Sequence, residues 1–382
     1  MPVFSRSGYG DWSTSLAKSF LKYPKFDIGI IRTAWGACAN SSTTCPEVEN
    51  KIITTPEVPQ PDIYISATIP HLSKIVGKKM NINISAGIET SFCYGNVIEA
   101  LNKHQLNIVC SNFAKETYMN SPTKCTSPIE VLPWSMDTSI YKVGGSDPAV
   151  DEAMNSIEEE EAFLFVGQIT HPALFLDRKD AGSLIKTFLE TFRGKEKKPA
   201  LVLKSSGISF SRMDKTEMLM KIAMIKQIVG SDNLPNIYLL HGELTPEQMN
   251  ALFNHPKIIA NISFSHGEGW CGPLIQGSLA GKPIIAPNHS GHLDFLPAER
   301  AILLDGKLEE IHPACISEYF PRGSKWFITD YKKASQTMLN FYYGDRTLPN
   351  SLAKLLATEN ANKFNLEKMD YRLHKILDRY IK

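Results

Sequence analysis

Short apolar runs recur along the 382-residue chain, separated by stretches long enough for a helix. Phe26 to Ile31, Ile63 to Ala67, Asn81 to Ala86, Ala162 to Val166, Leu201 to Lys204, Asn236 to Leu240, Lys257 to Phe264 and Pro283 to Ala286 read as strands, most of them buried. Strands alternating with helices at this spacing predict βαβ units and a parallel sheet. The opening MPVF reads as a very short strand, followed by a Gly8-Tyr9-Gly10 loop and a helix from about Asp11 to Leu21, with Asp11 as its N-cap. The polar, turn-rich TAWGACANSSTTCPEVEN predicts a surface excursion, and Ser111-Asn112 is placed to cap a helix from Phe113 to Met119. From Tyr331 onward the period is helical, and Asn365 to Ile381 is amphipathic.

Composition changes abruptly after Tyr141, where KVGGSDPAVDEAMNSIEEEEA joins a Gly/Pro turn to an acidic, helix-like run. That is the character of a linker with a solvated face, and Glu158 to Glu161 repel one another and stay in water. A chain of this length exceeds one ordinary core and predicts two domains. Lys plus Arg is 41 against 40 for Asp plus Glu, so no basic field argues for nucleic acid. The seven cysteines are scattered, with no CxxC and no Cys/His cluster at zinc spacing, so neither a disulfide framework nor a metal site is expected. Met1 is not followed by a charged-then-apolar leader, and no apolar run nears the ~18 residues of a membrane span. The expectation is a cytoplasmic protein without a transmembrane segment, with peripheral membrane contact left open.

Candidate chemistry gathers between Asn261 and Leu296. A short apolar run breaks into Ser265-His266-Gly267-Glu268-Gly269 before Pro273 opens a small-residue helix ending at Gly281. The unpartnered first-turn N–H groups of such a helix, with its macrodipole, suit a phosphate or sugar oxygens. Gly267, Gly269 and Gly272 would let a ligand approach the backbone. An isolated Glu here would only complement the dipole. Glu268, in a solvent-facing loop among three glycines and Trp270, is expected instead to hold sugar hydroxyls, because charge-assisted hydrogen bonds are about twice as strong as neutral ones. His71, at the C-terminal end of a strand, is placed to face a cleft.

EGWCGPLIQGSLAGKPIIA resembles the donor-site signature of retaining GT-B glycosyltransferases of the "group 1" (family 4-like) type, in which a Glu, seven residues and a second Glu precede a small-residue helix and a strand. The resemblance implies that Glu268 contacts the transferred sugar, with Gly269, Trp270, Cys271 and Gly272 around the donor. Gln276 stands where the family has its ribose-binding Glu. SGYGDW occupies the place of the family's glycine loop, so Gly8 and Gly10 are implied to face the donor diphosphate. ISAGIETSF and the segments as far as Asp137 resemble the acceptor-side half and place Glu89 at a cleft-facing strand end, with Ser111 and Asp137 at the matching cap and hinge positions. Arg178 and Lys179 match the basic pair that grips the pyrophosphate, while Gln168 replaces the Arg usual after the first glycine of that half. Two adjacent cations opening a helix oppose its dipole unless an anion binds there. Asp294 sits in the family's Gly-rich turn.

The expected fold class is α/β of GT-B type, with two Rossmann-like domains whose parallel sheets face a central cleft. Residues 1–145 would form the acceptor-side domain, 146–161 a linker, 162–362 the donor-binding domain and 363–382 a helix returning to the first domain. The implied activity is transfer of a sugar, with retention, from a nucleotide diphosphate sugar to a glycan, glycoside or other hydroxyl acceptor. Glu268, Lys179 and Arg178 would be catalytic, and His71 and Glu89 would lie on the acceptor side. No Asp-x-Asp motif is present, so neither a metal nor a further cofactor is expected, and fixed donors must stabilise the leaving diphosphate. A GT-B nucleotide-sugar epimerase and a non-catalytic nucleotide-sugar or glycan-binding module are the alternatives.

Overall fold

The structure is a computed structural model and describes every residue except 37, 41–44, 56–57, 170, 172, 208, 231 and 382. Two parallel sheets carry it. In the first, β1 (Ile63–Ala67), β2 (Met80–Ser85), β3 (Leu106–Val109) and β4 (Ile129–Val131) lie side by side in chain order. In the second, β5 (Ala162–Val166), β6 (Ala200–Lys204), β7 (Ile237–Leu240), β8 (Ile258–Ile262), β9 (Ile284–Pro287) and β10 (Ile302–Leu304) take the order β10-β9-β8-β5-β6-β7. The chain builds outward from β5 in one direction, then returns to the other side of β5 at β8. Most of these strands are buried, as helices covering both faces of a parallel sheet require. A two-stranded antiparallel ribbon, β11 (Gly306–Glu310) with β12 (Lys325–Thr329), stands beside the second sheet.

Two expected strands are absent as strands. MPVF makes only an isolated bridge, Ser5 to Asn40, and Phe26 to Ile31 only the bridge Ile30 to Ile52. Segment 26–31 satisfies its backbone elsewhere: Ile30 N donates to Lys51 O, Ile53 N to Ile30 O and the N-terminal ammonium to Ile31 O. The chain thus closes a small cluster of its own around Val3, Ile30 and Val48 and leaves β1 as the edge of the first sheet. The first helix begins earlier than expected, at Gly8, because Ser7 rather than Asp11 is its N-cap and accepts from Gly10 N at 3.0 Å. Ser111 caps the helix Asn112–Met119 through Ala114 N, as its sequence position suggested. Residues 41–44 of the turn-rich excursion lie outside the described residues.

The tail forms the helices Tyr331–Tyr343, Thr347–Lys363 and Leu366–Tyr380. The last lays Met369, Leu373, Ile376 and Leu377 on the first half of the molecule. Lys22 pairs with Asp370 at 2.7 Å, Tyr23 and Lys25 both donate to Asp378 at 2.8 Å, and Tyr380 donates to Glu130 at 2.9 Å. One apolar core therefore runs from Trp12 and Ile84 through Trp270 and Phe295 to Leu373, joining both halves. No helix among the described residues is long and apolar enough to cross a membrane. Leu373→Ala, which empties a fully buried position on that last helix, is expected to cost ~2–5 kcal/mol, read as a lower urea midpoint at unchanged slope.

Candidate active site

The strand order of the second sheet reverses between β5 and β8, and in open parallel sheets the crevice outside the carboxyl ends of such a pair is where ligands bind. The loop after β5 brings Arg178 and Lys179 to this crevice, and the loop after β8 brings Glu268. Lys179 Nζ lies 2.5 Å from Glu268 Oε1, and Arg178 Nη1 lies 3.2 Å from Glu268 Oε2. Arg178 also reaches Glu89, on the loop after β2, with Nε 3.0 Å from Oε2, and donates through Nη1 to Gly267 O at 2.6 Å. Four of the expected site residues, three from the loops of the second sheet's switch point and one from the opposite half, thus form a single cluster.

Burial alone would raise the Glu268 carboxyl, but Lys179 and Arg178 outweigh it and hold the group down to about 2, so it is a carboxylate at neutral pH. Burial pulls Arg178 down while Glu89 and Glu268 more than restore it, leaving the guanidinium charged and above its ordinary range. Glu89 is pushed up by burial and by Glu268, against the pull of Arg178.

In this closed structure the glycines of the junction pack closely against backbone. A Cβ on Gly267 would stand 2.3 Å from Glu89 O, and one on Gly269 2.2 Å from Ala86 O, so these residues let the two halves touch. Ser111 Oγ donates to Gly269 O at 2.6 Å, and Asp294 accepts from Asn112 N at 2.9 Å, capping the helix Asn112–Met119 from across the junction. The loop expected to face solvent is consequently buried, with Glu268 3 % exposed. Gly10 packs against its own chain, where a Cβ would fall 2.0 Å from Ser5 O, and faces no ligand space. Gly8 lies in the first helical turn beside the Trp134 ring, and Gly272 meets the same ring, so Trp134 fills the gap between two helix starts. Sequence reasoning missed Trp134, whose only signal is a bulky aromatic just after β4.

Trp270 is a core residue, its ring centre 4.9 Å from that of Phe295 and 5.4 Å from that of Phe364. Cys271 is buried and precedes the helix Gly272–Leu279 at φ 75°, a left-handed conformation uncommon for a residue with a Cβ. No side chain caps that helix, and the Trp134 ring packs over its start. Gln276 is half-buried on the same helix, and the His71 ring centre lies 6.2 Å from that of Tyr319. A cavity of about 10 Å³ lies beside Lys179, lined also by Asn261, Ser265 and Cys271, with room for about one water. A far larger hollow of about 1490 Å³ runs along the edge of β1 and contains none of the charged cluster, so chemistry rather than size selects the site. Among the described residues, no group of three or more His, Cys, Asp or Glu side chains is placed to hold a metal ion.

No family model matches the chain, and no curated protein sequence does. Solved structures do. A glycosyltransferase from Rickettsia africae superposes with a TM-score of 0.57 at 13 % identity, over 100 % of this chain and 84 % of that one. HepE from Anabaena, in complex with UDP and glucose, gives 0.57 at 11 %, over 80 % and 73 %. Sucrose-phosphate synthase from Thermosynechococcus elongatus gives 0.55 at 13 %, over 78 % and 67 %. The chain has the GT-B fold. The junction holding Arg178, Lys179, Glu268 and Glu89 is therefore the crevice between the two Rossmann-like halves of a GT-B architecture, and here it is closed.

Gly269→Ala tests what closes it: the added Cβ cannot coexist with Ala86 O, and the variant is expected to keep its helical content while small-angle scattering gives a larger radius of gyration.

Proposed function

We propose that this protein is a glycosyltransferase that moves a sugar from a nucleoside diphosphate sugar to a hydroxyl acceptor with retention of configuration, and that uridine diphosphate carries the sugar. The observation that carries the reading is the pairing of two cations with one deeply buried carboxylate at the β5/β8 switch point, beside an uncapped helix start. Cleavage of a sugar–diphosphate bond develops negative charge on the departing diphosphate, and Arg178, Lys179 and the first-turn N–H groups of the Gly272 helix are the fixed donors for it. Glu268, ionised and directed by Lys179, is the acceptor for hydroxyls of the transferred sugar. The chain's own cations suffice for this role, which supports a metal-independent reaction.

Arg178 now spends its Nε on Glu89 and its Nη1 on Glu268 and Gly267. Donor binding then requires the halves to part and Glu89 to yield Arg178 to the diphosphate, leaving Glu89 on the acceptor side of the crevice. The HepE structures hold UDP with glucose and UDP-glucose, which supports uridine as the base. The seven cysteines are all unpaired, which fits a reducing, cytoplasmic setting.

Release of UDP from a panel of UDP-sugars with a hydroxyl acceptor present tests the activity, and Lys179→Ala tests the assignment. That variant is expected to lose affinity for UDP while binding uridine unchanged, measured by calorimetric titration; equal losses for both would remove Lys179 from the diphosphate site. Gln276→Glu restores a carboxylate at the ribose position that the family resemblance implies. A hydrogen bond to a charged group contributes ~1.5–3 kcal/mol against ~0.5–1.5 for a neutral one, so UDP binding is expected to tighten by up to roughly tenfold. Unchanged UDP affinity with a lower melting temperature would place Gln276 among the packing residues of its helix.

A further inference from the structure

Directly behind the cationic turn lies a pair of buried ionisable groups that the proposed reaction does not use. Asp180, the residue after Lys179, is fully buried, and His266, two residues before Glu268, is 1 % exposed. Asp180 Oδ1 and His266 Nε2 stand 3.7 Å apart, and among the described residues neither atom has a hydrogen-bond partner. His266 Nδ1 is 2.9 Å from Phe327 O, and a carbonyl can only accept, so Nδ1 carries a hydrogen. In the neutral ring Nε2 then presents a lone pair to a carboxylate oxygen. The other carboxylate oxygen accepts from Tyr331 at 2.5 Å. Trp326 stacks on the imidazole with ring centres 5.2 Å apart, and the backbone of Phe175 faces both groups. Two buried acceptors facing each other is a costly arrangement, and a single proton between them removes the cost.

We propose that Asp180 and His266 hold one proton in common below neutral pH, and that this protonated pair positions the Arg178–Lys179 turn. The link to the turn is covalent on one side and direct on the other, since Asp180 follows Lys179 and His266 N donates to Arg178 O at 2.8 Å. Asp180 also holds the left-handed conformation, φ 47°, that starts the helix Ala181–Phe192. The charged and titratable groups facing the pair are Asp177 and Arg178 from the loop before that helix and Tyr331 from the helix Tyr331–Tyr343. Burial pushes the Asp180 carboxyl up to about 7 and pulls His266 down to about 4, so loss of the proton falls near neutrality, where a carboxylate and a lone pair would then oppose each other and loosen the turn.

The signs give a test that needs no ligand. Between about pH 4.5 and 6 the unfolded chain carries this proton on His266 and the folded chain carries it on the pair, so wild-type folding exchanges none through these residues. In Asp180→Asn the folded His266 is neutral and the unfolded one charged; folding releases one proton and stability rises with pH. In His266→Gln the buried Asp180 stays protonated while the unfolded one ionises; folding takes up one proton and stability falls with pH. Denaturant unfolding across that window is expected to separate each variant from wild type by one proton, in opposite directions. A wild-type slope equal to that of Asp180→Asn would overturn the shared proton.

The positioning role rests on the diphosphate reading and is tested with inorganic pyrophosphate, whose own ionisation cancels in the ratio of Asp180→Asn to wild-type affinity. That ratio is expected to rise from near one at pH 6 to on the order of ten at pH 8.5, because the side-chain amide of the variant keeps an N–H where wild type loses its proton. A ratio that stays flat would overturn the positioning role. Absence of pyrophosphate binding at every pH would overturn the diphosphate reading together with that role, while the unfolding slopes decide the shared proton separately.

Discussion

The structure depends on keeping one carboxylate ionised where almost no water reaches it. An ion placed in a protein interior costs several kcal/mol unless it is paired, and Glu268 is paired twice, by Lys179 and Arg178. The two cations come from one loop and the carboxylate from another, so the pairing fixes the separation of β5 and β8 at their carboxyl ends. Because Arg178 also reaches Glu89, the same charge balance reaches into the other half of the molecule. Removing both cations would leave the Glu268 carboxylate buried and uncompensated.

Closure of the two halves is achieved with backbone rather than side chains. Gly267, Gly269 and Gly291 present bare Cα positions to carbonyl groups, Ser111 reaches over to Gly269, and Asp294 supplies the cap that the helix Asn112–Met119 would otherwise share with water. Apolar packing then seals the joint, since Trp134, Trp270 and Phe295 belong to one core with residues of both sheets. The last helix adds a strap, tied to the first helix and the turn after it by Lys22, Tyr23 and Lys25.

This chain departs from the pattern it resembles at positions the structure makes legible. Cys271 and Asp180 occupy left-handed conformations without being glycine, and both flank the charged cluster. Strain of order 1–3 kcal/mol at such positions is retained only where the surroundings over-determine it. Cys271 lies between the buried Trp270 and the Pro273 helix start, and Asp180 is held by Tyr331. Gln276 and Gln168 each stand where the resembled pattern has a charged residue.

Of the strands from Ile63 to Pro287, all but Leu106–Val109 and Ile129–Val131 were readable from hydrophobic runs bounded by turn residues, as was the amphipathic final helix, because burial on a parallel sheet and a one-sided helix each impose a period on the sequence. Glu268 drew notice in the sequence because it stands among glycines before a helix, and Arg178 and Lys179 because adjacent cations opening a helix carry a cost that an anion or a counter-charge relieves; the fold brings the three together. Tertiary structure alone decided the rest. Whether Phe26 to Ile31 joined the sheet depended on a competing backbone partner at residues 51–53. Whether Gly10 and Gly269 faced a ligand or a carbonyl group depended on what the fold brought against them. The pairing of Asp180 with His266, and of Glu89 with Arg178, joins residues 86 and 89 positions apart, and no local pattern records a contact that only the meeting of two loops creates.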